Sequence, residues 1–142
     1  MRTILIVDDQ PSVRDTIGFL LSAHDYNVVL AANGHEALAS AAPFDVALID
    51  LYMPGGDGFA LCRALRERLV KESRRAPLLM MTAAWTPEAA TKAAAEGAVA
   101  LMTKPFTCAK LVEELERAFT GPAPTPATPS PFASGIAPSA AA

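Results

Sequence analysis

Apolar residues in this chain fall in short unbroken runs, separated by stretches with helical spacing. Thr3 to Val7 reads T-I-L-I-V and stops at Asp8-Asp9. Tyr26 to Ala31 (Y-N-V-V-L-A) is a second run, and Val46 to Ile49 is a third that ends at Asp50. Pro77 to Thr82 (P-L-L-M-M-T) and Val99 to Thr103 follow. Continuous apolar runs of this length suit strands buried on both faces, as in a parallel sheet.

The intervening stretches read as helices. Pro11 suits a first helical position. Val13, Ile17, Leu20 and Leu21 then form an amphipathic stripe that should end near His24-Asp25. After the Asn33-Gly34 turn, Glu36 to Ala42 predicts a helix with Ala37, Leu38 and Ala41 on one face, closed by Pro43. Met53-Pro54-Gly55-Gly56 reads as a loop. Phe59, Cys62, Leu65 and Leu69 mark the core face of a third helix. Pro87 to Glu96 is an Ala-rich helix stopped by Gly97, and Leu111, Val112, Leu115 and Phe119 mark a last one. Five strand–helix alternations with short connections predict a doubly wound α/β domain, with helices on both faces of a five-stranded parallel sheet. Periodicity leaves the strand order open.

Composition refines this picture at few points. Apolar residues make up 51 % and charged residues 19 %, which indicates a globular chain. The exception is Gly121 to Ala142, uncharged and rich in proline, which reads as a flexible Pro/Ala-rich tail after a domain of residues 1–120. A net charge of −3 without a basic patch gives no footing for nucleic acid or anionic lipid. Cys62 and Cys108 lack metal-ligand spacing and read as reduced thiols. Met1-Arg2-Thr3 runs into a strand without a signal peptide, and no apolar run is long enough to span a bilayer, so the expected location is cytoplasmic. Glu67, Arg68, Lys71, Glu72, Arg74 and Arg75 read as a solvated helix end.

Polar residues stand where the apolar runs stop. Asp8 and Asp9 follow the first strand, Asp50 ends the third, Thr82 ends the fourth and Lys104 follows the fifth. In a parallel sheet these ends share one edge, so the groups converge there. Three carboxylates in one crevice repel each other, and without a counter-charge at least one pKa should rise. All-oxygen ligands without His or Cys favour Mg²⁺. A cation, the Lys104 ammonium and the Thr82 hydroxyl together suit a phosphoryl group, with a carboxylate as the nucleophile. Asp50, alone at the tip of the central strand, is the best placed.

These residues resemble the receiver domain of two-component response regulators. The matching text is I-L-I-V-D-D at 4–9, A-N-G-H-E-A-L at 32–38, D-L-Y-M-P-G-G-D-G at 50–58, M-T-A at 81–83 and K-P-F at 104–106. The resemblance implies a flavodoxin-like sheet of order 2-1-3-4-5, with Asp50 as phosphoacceptor and a sensor histidine kinase or phosphotransfer protein as donor. It implies Mg²⁺ held by Asp9, by Asp8 largely through water, by Asp50 and by the backbone carbonyl of Tyr52. Lys104 is expected to contact the phosphoryl group, Thr82 to hydrogen-bond it, and the Lys104–Pro105 bond to be cis. Output is expected as altered contact with a downstream protein, or as a homodimer through the fourth helix, fifth strand and fifth helix. The family usually carries Tyr or Phe three residues before the lysine, as a switch that turns inward with the threonine. Here that position is Leu101, expected to stay packed inward. Tyr52 and Ala84, at positions that tune phosphoryl lifetime, imply slow self-dephosphorylation. Trp85 lies in the loop after Thr82, either as a packed anchor or as a reporter.

Other readings are a phosphorelay shuttle, a Mg²⁺-dependent phosphatase with an Asp nucleophile, a flavodoxin-like cofactor carrier, and a phosphorylation-independent interaction domain. The phosphatase needs a second Asp two residues after Asp50, where this chain has Tyr52. The cofactor carrier needs a phosphate-cradling loop where Asp8 and Asp9 stand.

Overall fold

A computed structural model describes residues 1–40, 42–53 and 56–120. The tail expected over 121–142, with Ala41, Pro54 and Gly55, lies outside the described residues. The main sheet holds five strands: β1 (Thr3–Val7), β2 (Asn27–Ala31), β3 (Val46–Asp50), β4 (Leu78–Thr82) and β5 (Ala100–Thr103). All are parallel, in the order β2-β1-β3-β4-β5. Five helices alternate with them: α1 (Pro11–Ala23), α2 (Gly34–Ala39), α3 (Gly58–Lys71), α4 (Pro87–Ala95) and α5 (Cys108–Thr120). This is the doubly wound flavodoxin-like architecture. α1 and α5 lie side by side, while α3 is tied by side-chain bonds to both α2 and α4.

β3 and β4 are buried at every position, as central strands covered on both faces must be. β2 forms one margin of the sheet, and its burial is mixed. Helix starts follow from local chemistry. Asn33, Asp57 and Thr86 each accept a backbone N–H from three residues on, capping α2, α3 and α4. Gly97, at φ 99°, reverses the chain after α4, and a Cβ there would strike the Arg66 side chain.

Several sequence expectations need correction. α2 spans Gly34–Ala39 instead of reaching Ala42, because Ser40 is already extended. Leu38 is 41 % exposed, so the apolar face of α2 is narrower than expected. Its final carbonyls are taken by Arg68, whose guanidinium donates to Leu38 O and Ser40 O, each at 3.0 Å. Arg74 donates to Phe44 O at 2.7 Å. These two arginines therefore act as backbone caps and are not simply part of a solvated helix end. The expected loop after Asp50 includes a short antiparallel hairpin pairing Tyr52 with Asp57 and Met53 with Gly56. β2 begins at Asn27, because Tyr26 turns its ring toward α5.

That ring forms a clasp at the end of the sheet where β1 and β2 begin. Tyr26 Oη donates to Glu116 at 2.7 Å, Phe119 stacks on Tyr26 at 6.3 Å, and the Arg2 guanidinium lies 3.8 Å from the Phe119 ring centre. Burial and the bond to Glu116 push the Tyr26 phenol up to about 12.

Candidate functional site

Parallel strands in register place their last residues side by side. Val7 pairs with Ile49, Asp50 with Met81 and Thr82 with Thr103. Asp8, Asp9, Asp50 and Lys104 therefore meet at the carboxyl edge of β1, β3 and β5, where ligands of open α/β sheets bind. One oxygen from each of Asp8, Asp9 and Asp50 lies within 4.8 Å of the other two. Asp8 is fully buried, Asp50 is 6 % exposed and Asp9 is partly exposed.

Lys104 supplies the counter-charge inside the protein. Its ammonium lies 2.9 Å from Asp8 Oδ2 and 3.2 Å from Asp50 Oδ1. Burial pushes the Asp50 carboxyl up to about 6; the Lys104 charge opposes this rise and the Asp8 charge adds to it. Burial acts against the Lys104 ammonium, but the bond to Asp8 and the charges of Asp50 and Asp8 outweigh it and hold its pKa above the usual lysine value. The Lys104–Pro105 peptide is cis.

Asp8 is engaged on both oxygens, Oδ1 accepting the Gln10 N–H at 3.0 Å and Oδ2 facing Lys104. Arg14 donates to the Asp8 backbone carbonyl at 2.8 Å. Neither Gln10 nor Arg14 stood out in the sequence, since each acts on Asp8 through a local turn. Gly58 is a further positioning residue. A Cβ there would lie 2.5 Å from Asp50 O and 2.9 Å from Leu51 Cα, so the start of α3 presses directly on the Asp50 backbone. Its N–H donates to Leu51 O at 2.7 Å.

Thr82 lies at the same edge, fully buried, and its hydroxyl accepts the Ala84 N–H at 3.1 Å. Leu101 is fully buried on β5 opposite Met80. The Tyr52 side chain is 60 % exposed and stands at the rim. From the carboxylates a groove of about 700 Å³ runs between α1 and α5, with Val13, Ile17, Leu20, Phe106 and Leu111 along its apolar stretch. Leu20, expected in the core stripe of α1, lines this groove instead and is partly exposed.

The donor set is all oxygen, clustered and partly open to the groove, which fits a hard divalent cation. Fold and acidic edge together define a phosphoryl-handling α/β domain of the receiver class. The comparisons agree. Residues 4–116 match the model of the response regulator receiver domain family, and the chain belongs to that family. Members of this family act as signalling switches in two-component systems.

The chain is 37 % identical to the chemotaxis protein CheY4 of Vibrio cholerae, with a TM-score of 0.78 over 83 % of this chain and 98 % of that one. It is 27 % identical to the response regulator TrrA of Thermotoga maritima in complex with Mg²⁺-BeF, with a TM-score of 0.72 over 83 % and 99 % of the two chains. Among curated proteins, the transcriptional regulatory protein ResD of Bacillus subtilis is 33 % identical over 77 % of this chain. ZraR of Salmonella typhimurium is 37 % identical over 81 %. The chain spans 44 % of the length of ResD and 26 % of that of ZraR. Among the described residues, no helix is long and apolar enough to cross a membrane.

Proposed function

We propose that Asp50 is the phosphoacceptor of a response regulator whose donor is the phosphohistidine of a sensor kinase or phosphotransfer protein. The observation that carries this reading is the position of Asp50. It stands at the tip of the central strand, beside the Lys104 ammonium, at the head of an open groove. An Asp50 oxygen forms the new O–P bond while the N–P bond of the donor breaks and the imidazole nitrogen keeps the electron pair. Lys104 then exchanges its Asp50 contact for a phosphoryl oxygen, retaining Asp8 as an anchor. The Thr82 hydroxyl donates to another phosphoryl oxygen.

Asp9 and Asp50, the backbone carbonyl of Tyr52, and Asp8 through water would hold Mg²⁺. Engagement of both Asp8 oxygens supports its indirect part. When bound, the ion neutralises charge on the phosphoryl oxygens. The groove between α1 and α5 is the path by which a donor helix reaches Asp50. The output is a changed protein-binding surface, with the α4–β5–α5 face as the candidate for a downstream target or a second copy.

Incubation with a small phosphoramidate, with and without Mg²⁺, tests the proposal. Base-labile phosphorylation of the parent chain, dependent on Mg²⁺ and absent from Asp50→Asn, is the expected result. Equal labelling of Asp50→Asn would overturn it, and continuous turnover of many phosphate esters would favour a phosphatase.

A further inference from the structure

Trp85 is the single tryptophan of the chain, and it lies on the connection between β4 and α4. This connection is pinned at both ends. At one end the Thr82 hydroxyl accepts the Ala84 N–H at 3.1 Å, and at the other the Thr86 hydroxyl accepts the Ala89 N–H at 3.0 Å and starts α4. Trp85 sits between the two pins. Its ring packs against the core, but its buried Nε1 has no hydrogen-bond partner among the described residues. It is the one buried side-chain nitrogen or oxygen left so among them.

Buried polar atoms are normally paired, so two opposing effects hold this side chain. Packing keeps the ring in, while the unmatched N–H favours a position where it meets water. The balance depends on where the connection is held. Thr82 pairs with Thr103 on one side and follows Met81, the partner of Asp50, on the other. A phosphoryl group on Asp50 offers oxygens to the buried Thr82 hydroxyl. A shift of Thr82 toward them displaces the pin at Ala84, next to Trp85. Leu101 has no comparable reason to move, since it is fully buried and carries no donor left unmatched.

We propose that Trp85 is the moving side chain of this switch. It is held inward while Asp50 is free and turns its indole N–H to solvent when Asp50 carries a phosphoryl group. The inference rests on the phosphoacceptor reading above.

Fluorescence of the full chain, excited at the red edge beyond tyrosine absorption, reports Trp85 alone, and fluorine NMR reports bound beryllofluoride, a phosphoryl mimic. With Mg²⁺ and beryllofluoride, emission should move to longer wavelength and acrylamide quenching should rise about twofold or more as the inward state is depopulated. Trp85→Phe keeps a packed ring without the N–H and favours the inward state, so it should bind beryllofluoride about tenfold more weakly. Circular dichroism checks that this variant is folded. Bound beryllofluoride with unchanged emission and quenching overturns the inference and leaves the phosphoacceptor reading standing. So does unchanged affinity in Trp85→Phe. Absence of any bound fluoride signal at millimolar Mg²⁺ overturns both.

Discussion

The Lys104 ammonium lies 3.2 Å from the Asp50 carboxylate, so the proposed nucleophile is paired before any phosphoryl group arrives. Lys104 also holds Asp8, which is fully buried. Removing the ammonium strands that second charge. Lys104→Gln should therefore lose about 3 kcal/mol of stability in chelator. Added Mg²⁺ should restore part of the loss, because it supplies a replacement charge. Urea denaturation with and without the ion measures both, and an unchanged midpoint in chelator would reject the pairing.

Asp50 itself stabilises the fold less when ionised. Its carboxyl is pushed up to about 6 from an ordinary value of 3.8, chiefly by burial. Between these two values the folded chain binds more protons than the unfolded chain, so the contribution of Asp50 falls as pH rises through that window. Asp50→Asn removes the charge. It should be more stable than the parent at pH 7 by about 1 kcal/mol, allowing for solvent screening of the partly open site. The difference should vanish near the lower end of the window. Thermal melts in Mg²⁺-free buffer across the range provide the measurement.

Gly58→Ala inserts a methyl against the Asp50 carbonyl and Leu51. Met80 Cε, also 2.9 Å away, can step aside, but the Asp50 carbonyl and Leu51 Cα are backbone atoms and cannot do so cheaply. A loss of about 2 kcal/mol is expected, together with slower phosphorylation of Asp50 because its backbone is displaced. Wild-type labelling rates in this variant would show that the close approach is immaterial.

Arg68→Ala removes two bonds to the end of α2. The expected cost is about 1–2 kcal/mol. Amide exchange should quicken in α2, while labelling of the proposed acceptor Asp50 should stay at the parent rate.

Tyr52 stands exposed at the rim of the groove, where its ring can obstruct water approaching Asp50. Tyr52→Ala should shorten the lifetime of phosphorylated Asp50 severalfold. Decay of the labelled protein after donor removal provides the check, and an unchanged lifetime counts against obstruction.

The site was legible because a parallel sheet turns chain order into proximity. Asp8, Asp50 and Lys104 each follow an apolar run, and strand register alone brings them to one edge. The order of the strands was not legible from the runs, since several orders bury them equally; the motif resemblance supplied it. Arg68 and its carbonyls are separated by 28–30 residues. Nothing in the local pattern distinguishes such an arginine from a solvated one. The length of α2 was overestimated because alanines permit a helix without requiring one, and Ser40 leaves it early. Thr82 was legible as a strand end, but not its bond to the Ala84 N–H, which depends on the path of the following loop.

The clasp of Arg2, Tyr26, Glu116 and Phe119 fastens the last helix where β1 and β2 begin, while the carboxylates crown the far rim. Five-residue strands separate these poles by about 17 Å. A tether or fluorophore grafted just past Thr120 would thus start from the underside of the domain. Chains immobilised by that anchor would turn the upper rim away from the support and toward an incoming donor.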